Sequence, residues 1–239
     1  MFGLMPAFMK PFHFQKFTLQ QCSTVFRVGT DGVLLGALCE VEKAKNVLEV
    51  GTGSGLISLM IAQRNSQAEI LALDINSDAV KLAGENFTNS PYSLRLKTEQ
   101  MDFKNFEPTE KFDLIVSNPP YFEENQSAKD VTARQQTELS FRNLIIKSAE
   151  LLAENGMFSV IIPFSEGNSF ENMCGENGLF LSRKIRILGR KNAVPKRWIL
   201  EFGFSSKTIQ EVEFTIEGSP RKYSAEYLEL TKEFHLFKN

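Results

Sequence analysis

The tetrapeptide Asn118-Pro119-Pro120-Tyr121 directly follows the apolar run Phe112-Asp113-Leu114-Ile115-Val116-Ser117, and its residue types suit chemistry on a planar amino or amide nitrogen. The lone pair of such a nitrogen is delocalised, so a site that uses it as a nucleophile must hold the NH2 group by its hydrogens. The Asn118 side-chain oxygen and the Pro119 carbonyl could each accept one N–H and aim the lone pair at an electrophile, by oriented dipoles and positioning rather than by a strong base. Pro119 and Pro120 stiffen the loop, and Tyr121 could lie flat against the target. Alone, the tetrapeptide also fits an ordinary turn at a strand end.

A second constellation lies upstream. Asn46-Val47-Leu48-Glu49-Val50 reads as a buried parallel strand, and it runs into Gly51-Thr52-Gly53-Ser54-Gly55 and the helix-compatible run Leu56 to Ala62. Glycines there let the backbone approach a ligand closely, and the helix start offers unpaired N–H groups. The next apolar run, Glu69 to Leu73, ends in Asp74, an acid at a strand's carboxyl end that could grip a ribose hydroxyl pair; the spacing of about 20 residues suits nucleoside binding.

These motifs, in this order, resemble the class I S-adenosylmethionine-dependent methyltransferases, and among them the amino-methylating group marked by Asn-Pro-Pro-Tyr. The resemblance covers nearly the whole chain. It implies an α/β Rossmann-like fold with a mostly parallel seven-stranded sheet, an antiparallel end and a short N-terminal hairpin. It implies that Glu49, Gly51, Thr52, Gly53 and Gly55 line the methionine part of S-adenosylmethionine, that Asp74 holds its ribose, and that Asp102, after a strand at Ser93 to Lys97, sits beside its adenine. Glu99 competes for that last role, and a solvated loop carboxylate is the alternative for Asp102. A closer resemblance, to the bacterial tRNA1(Val) adenine-N6 methyltransferases, rests on Phe26 to Gly36, Pro195-Lys196-Arg197 and Tyr223 to Leu228. In that family the turn Gly29-Thr30-Asp31-Gly32 enters a helix over the cofactor, so Thr30 and Asp31 would cap the helix and approach the methionine end. Both are ordinary capping types, and capping needs no ligand.

Composition sets bounds. The 239 residues, 42% hydrophobic, suffice for one domain, read here as a hairpin extension at residues 1–30 and a catalytic core at 31–239. A net charge of −2 marks no global nucleic-acid field. Local charge is less even: no acid precedes Asp31, while Lys10, Lys16 and Arg27 do, and Arg183, Lys184, Arg186, Arg190, Lys191, Lys196 and Arg197 occur in an acid-free run. Such a run could neutralise RNA phosphates or form a solvated, alternating edge strand. Cys22, Cys39 and Cys174 are isolated, and His13 and His235 are the only histidines, so neither a disulfide framework nor a metal site is expected. No apolar stretch reaches membrane-spanning length, and a reducing cytoplasm and a monomer are the simplest expectations.

Periodicity orders the rest. Phe12 to Val28 suits a hairpin, strands and helices alternate from Val47, and the polar stretch Glu123 to Glu138 is a candidate flap over the site. A helix is expected over Phe141 to Ala153 and a buried strand at Phe158 to Ile162. The antiparallel end falls near Leu179 to Leu188 and Trp198 to Phe204. Phe122 could wedge beside a base or simply pack, and Trp198 is expected to be buried rather than to stack on RNA. The resemblance implies methyl transfer to N6 of an adenine in tRNA, adenine 37 of tRNA1(Val). Methylation of guanine N2 in ribosomal RNA and of glutamine N5 in a protein pose similar problems, but the glutamine enzymes carry a helical domain for which little chain precedes Asn46.

Overall fold

The computed structural model describes residues 8–120 and 139–236. Strands β1 (Phe8–His13) and β2 (Thr18–Cys22) form an antiparallel hairpin, the expected N-terminal one. The chain then alternates through α1 (Thr30–Leu38), β3 (Asn46–Val50), α2 (Leu56–Arg64), β4 (Glu69–Asp74), α3 (Ser77–Thr88), β5 (Leu96–Gln100) and β6 (Phe112–Ser117). After residue 139 come α4 (Phe141–Leu151), β7 (Leu152–Pro163), α5 (Gly167–Glu176), β8 (Phe180–Arg190), β9 (Pro195–Gly203), β10 (Gln210–Ser219), β11 (Lys222–Tyr223) and α6 (Ala225–Thr231).

Strands β3 to β11 build one nine-stranded sheet in the order β11-β10-β8-β9-β7-β6-β3-β4-β5. The five strands from β7 to β5 run parallel, while β9 is antiparallel to both β7 and β8, as the sequence predicts for the late strands. Beyond the seven strands expected, β10 joins parallel to β8 and β11 closes the edge. Both sheet faces are apolar because alternate residues of each strand bury in opposite directions. Val47, Leu114, Val116 and Ile199 pack with Leu34, Leu59 and Met60 of α1 and α2. Leu48, Ile115, Val160 and Leu200 pack with Leu144 of α4 and Phe170 of α5. A sheet covered on both faces reads as continuous hydrophobic runs, which is why the strands are visible in the sequence.

One strand is displaced from its expected place. Ser93–Arg95 is a 3-10 turn, and β5 starts only at Leu96. The cause is Arg95, whose guanidinium donates to the carbonyls of Ala62 (2.8 Å), Asn65 (3.0 Å) and Ala68 (2.7 Å) at the end of α2 and the approach to β4. A cation on those carbonyls satisfies a helix C-terminus and fixes Arg95 off the strand line.

Candidate active site

Strand order reverses between β3 and β6: the chain leaves β3 toward β4 and β5 on one side, and β6 leads to β7 on the other. Ligand crevices of open α/β sheets form at such a switch point, outside the carboxyl ends of the strands. Here Val50 and Ser117 are register partners, and the Ser117 hydroxyl donates to the Val50 carbonyl at 2.9 Å. The next residues, Gly51 and Asn118, therefore leave the sheet side by side, so the two motifs converge on one crevice.

The glycine turn is pinned to β4. Gly51 and Thr52 N–H donate to the Leu73 carbonyl at 2.9 and 3.0 Å, and Gly53 N–H donates to Asp74 Oδ2 at 2.9 Å. Gly51, Gly53 and Gly55 have φ of 77°, 56° and 82°, which L side chains rarely adopt. A Cβ at Gly55 would also stand 2.5 Å from Phe87 Cε1, whereas one at Gly51 would meet nothing within 4 Å and point into open space. The first glycine is where a ligand could approach the backbone.

Glu49 is buried beside this turn. Its Oε2 accepts from the Thr52 hydroxyl at 2.8 Å, from Ser58 N–H at 3.1 Å and from the Ser58 hydroxyl, while its Oε1 is buried without a hydrogen-bond partner among the described residues. Burial pushes its carboxyl up to about 7, against the pull of the Ser58 and Thr52 hydrogen bonds. An acceptor left open on a buried carboxyl suits a ligand ammonium, and the methionine end of S-adenosylmethionine carries one. Asp74 is the last residue of β4, beside the glycine turn. Its Oδ1 takes Asn76 N–H at 2.9 Å and its Oδ2 takes Gly53 N–H, so each oxygen retains a lone pair for a ribose hydroxyl.

Asn118 is half-buried, and its Oδ1 is buried without a hydrogen-bond partner among the described residues. Pro119 behind it is buried and Pro120 is exposed. Tyr121, Phe122 and the expected flap Glu123 to Glu138 lie outside the described residues. Asp102 lies just past the carboxyl end of β5, where it caps the turn Phe103–Asn105 by accepting Lys104 N–H at 3.0 Å and pairs with Lys104 Nζ at 3.4 Å. Glu99 is an exposed residue within β5, opposite Leu73.

The capping expectation for Thr30 and Asp31 is corrected. Gly29 is the N-cap of α1 with no side-chain cap bond, Thr30 is exposed, and Asp31 in the first turn accepts Arg197 Nε at 2.8 Å. The Asp31 carboxylate still faces the positive end of the helix, but its partner is a strand cation 166 residues away.

Comparison with known proteins agrees with this geometry. Residues 24–169 match the model of the methyltransferase small domain family. A tRNA1(Val) (adenine(37)-N6)-methyltransferase of a Flavobacteriaceae bacterium is 55% identical over 96% of this chain and 100% of its own length. One of Bacteroides fragilis is 40% identical over 94% and 97%. The chain belongs to the bacterial tRNA1(Val) adenine-N6 methyltransferase family. Among solved structures, a predicted O-methyltransferase from Agrobacterium tumefaciens superposes with a TM-score of 0.66 at 17% identity, covering 85% of this chain and 96% of that one, which shows the shared class I fold.

In this family member the crevice is braced by residues that motif reading passes over. Ser58 is the one polar residue in the apolar helix run Leu56 to Ala62, and that interruption is its signal. Asn86 of α3 accepts Gln20 N–H at 2.8 Å and donates to the Ser54 carbonyl at 2.9 Å, which ties the hairpin to the glycine turn. Nothing near Asn86 in the sequence announces this.

Five of the seven cations in the basic run meet carboxylates in three dimensions, and Lys191 and Lys196 have no ion-pair partner among the described residues. Arg183 pairs with buried Glu201 at 3.2 Å, Lys184 with Glu171 at 3.0 Å, Arg186 with Glu213 at 3.7 Å and Arg190 with Glu217 at 3.4 Å, in addition to Arg197 with Asp31. Glu213 and Glu217 stand opposite Arg186 and Arg190 in the β8–β10 register, so the strand that the sequence leaves without acids receives them from its neighbour. Trp198 is buried as expected, stacked on Phe164 at 4.9 Å with Lys184 and Arg186 over its ring. No helix among the described residues is long and apolar enough to cross a membrane.

Proposed function

We propose that this protein transfers the methyl group of S-adenosylmethionine to the exocyclic N6 of adenine 37 in tRNA1(Val). The observation that carries the reading is the open Asn118 Oδ1, a buried acceptor at the carboxyl end of β6, one residue past the Val50–Ser117 register pair that aligns it with the glycine turn. A buried amide oxygen without a partner is costly unless a ligand completes it, and an adenine amine offers the N–H it lacks. The relatives' shared activity supports the same substrate.

S-adenosylmethionine, when bound, supplies an already activated methyl group. Glu49 would accept from its ammonium, Gly51 and Gly53 would let its methionine part lie against the turn, Asp74 would hold its ribose, and Asp102 would border its adenine. Thr52 and Gly55 shape the turn, and Thr30 and Asp31 would border the methionine end from α1. On the substrate side, Asn118 and the Pro119 carbonyl would accept the two amine hydrogens, Pro120 would keep the loop stiff, and Tyr121 would stack on the base. The adenine must leave its stack first, at a cost of about a few kcal/mol that is smaller in a single-stranded loop than in a duplex. The amine's surplus proton can pass to water after transfer, and no residue in this scheme acts as a strong base. A cytoplasmic, metal-free monomer of one domain, with hairpin residues 1–30 and core 31–239, completes the reading.

The test is single-turnover transfer from labelled S-adenosylmethionine to a tRNA1(Val) transcript, followed by nucleoside digestion. N6-methyladenosine is the expected product; a labelled guanosine, or label only in protein, would replace this reading with a guanine-N2 or glutamine-N5 activity. Asn118→Ala should keep cofactor affinity and lose about 10²–10³ in rate.

A further inference from the structure

The neutralised basic strand leaves open which residues meet the RNA, and the rim of the crevice answers it. We propose that substrate RNA is held by Phe26 and Arg27 on the β2–α1 loop together with Lys191 on the β8–β9 turn and Lys196 at the start of β9. The assignment deepens the tRNA reading above and rests on it.

Phe26 is 87% exposed, yet its surroundings are fixed. Val25 before it is buried, with Cγ1 3.8 Å from where a Cβ on Gly53 would stand, and Val28 N–H two residues on donates to Gln21 Oε1 at 3.1 Å. The loop is thus anchored on both sides against the glycine turn and the hairpin, and it presents the ring rather than packing it. An exposed aromatic ring held at the mouth of a site that handles a nucleobase is a stacking platform that loses little entropy on binding. Exposure alone would not argue this: Leu94 is 94% exposed at the opposite, amino end of the sheet. Arg27 is exposed beside Phe26 and has no ion-pair partner among the described residues, in contrast to Arg183, Arg186, Arg190 and Arg197.

The β8–β9 turn lies on the same rim. Arg197 of β9 is the register partner of Pro163, the last residue of β7, so the turn between Arg190 and Pro195 projects from the carboxyl end of the parallel strands. Lys191 in the turn and Lys196 at the start of β9 are exposed without acidic partners among the described residues, and the 2.8 Å bond between Arg197 and Asp31 ties the root of this turn to the start of α1. Arg27 stands four positions before Asp31 and Lys196 one before Arg197. The three unpaired cations therefore flank one opening, with the stacking ring among them, an arrangement suited to a looped single strand whose phosphates pass the rim while its bases turn inward.

The experiment uses the full chain and a tRNA1(Val) transcript, with S-adenosylhomocysteine for the binding measurements and labelled S-adenosylmethionine for the transfer measurements. Arg27→Ala and the pair Lys191→Ala/Lys196→Ala should raise the Kd for tRNA and lower the slope of log K against log salt by about 0.7–0.9 per cation removed. Phe26→Ala should raise the tRNA KM about tenfold with the salt slope unchanged, and Phe26→Tyr should restore it. The single-turnover rate at saturating tRNA and the affinity for S-adenosylhomocysteine should stay at wild-type values throughout. Lys43→Ala, at the amino end of β3, should change none of these. If wild type forms N6-methyladenosine in the transcript while the rim variants keep wild-type KM and salt slope, or lose S-adenosylhomocysteine affinity as well, the rim assignment is overturned. A wild-type protein that methylates no adenine in the transcript overturns the tRNA reading itself, and the rim assignment with it.

Discussion

Replacing Glu49 by Gln separates what this carboxyl costs the fold from what it contributes to the cofactor. Its folded value near 7 exceeds the ordinary 4.5 because burial penalises the charged form. Below about pH 4.5 the carboxyl is protonated in both folded and unfolded chains. Between about 4.5 and about 7 the unfolded chain has released the proton and the folded one has kept it, so stability falls as pH rises through this window and is level above it. At 1.36 kcal/mol per pH unit the gap corresponds to about 3 kcal/mol lost by pH 8. Glu49→Gln, which cannot ionise, should therefore be nearly neutral at pH 4.5 and more stable than the ligand-free wild type at pH 8, by up to about 3 kcal/mol. Urea unfolding of both proteins at the two pH values reads this directly.

The same substitution should damage binding. An ammonium seated on Glu49 requires the ionised carboxylate, so wild-type affinity for S-adenosylhomocysteine should rise about tenfold per pH unit below 7 and level off above it. Glu49→Gln should lose that pH dependence and bind about tenfold to a hundredfold more weakly at pH 8, the value of one charge-assisted hydrogen bond. Calorimetry at pH 6 and pH 8 supplies the numbers. A stability difference that does not change with pH, or a Gln variant that binds as tightly as wild type at pH 8, would refute the assignment of Glu49 as a buried carboxyl held ready for the ammonium.

Other substitutions probe the frame around it. Asp74→Ala should lower S-adenosylhomocysteine affinity about tenfold to a hundredfold, while Asp74→Asn, which keeps an acceptor for Gly53 N–H, should lose less; wild-type affinity in Asp74→Asn by calorimetry would mean that Asp74 acts only by bracing the turn. Arg95→Ala leaves the carbonyls of Ala62, Asn65 and Ala68 without their donor and should cost about 2–4 kcal/mol in urea unfolding without changing the sheet. Gly55→Ala combines a φ of 82° with a 2.5 Å approach to Phe87 and should cost more than about 1 kcal/mol, read as a lowered Tm that excess S-adenosylhomocysteine partly restores.

The parts of this fold that are legible in the sequence are those whose cause is local. A strand buried on both faces must be an apolar run, a turn at positive φ must be glycine, and an acid at a strand's end needs only that strand to place it. The Gly51 to Gly55 turn and Asp74 could therefore be read from spacing, while the resemblance implied that Glu49 and Asn118 share their crevice. What the sequence conceals is pairing between distant segments. The cations from Arg183 to Arg197 look unneutralised because Glu213 and Glu217 come from β10, which must add to the edge of the sheet before the charges meet. Asp31 looks like a helix cap because Arg197 is 166 residues away. Arg95 looks like part of a strand because the carbonyls that claim it belong to α2 and the link to β4. This division has a functional consequence. Charges settled within the fold have little left to offer a partner, so the residues that meet RNA are to be sought among those the fold leaves exposed at the carboxyl end of the sheet, where Phe26, Arg27, Lys191 and Lys196 stand.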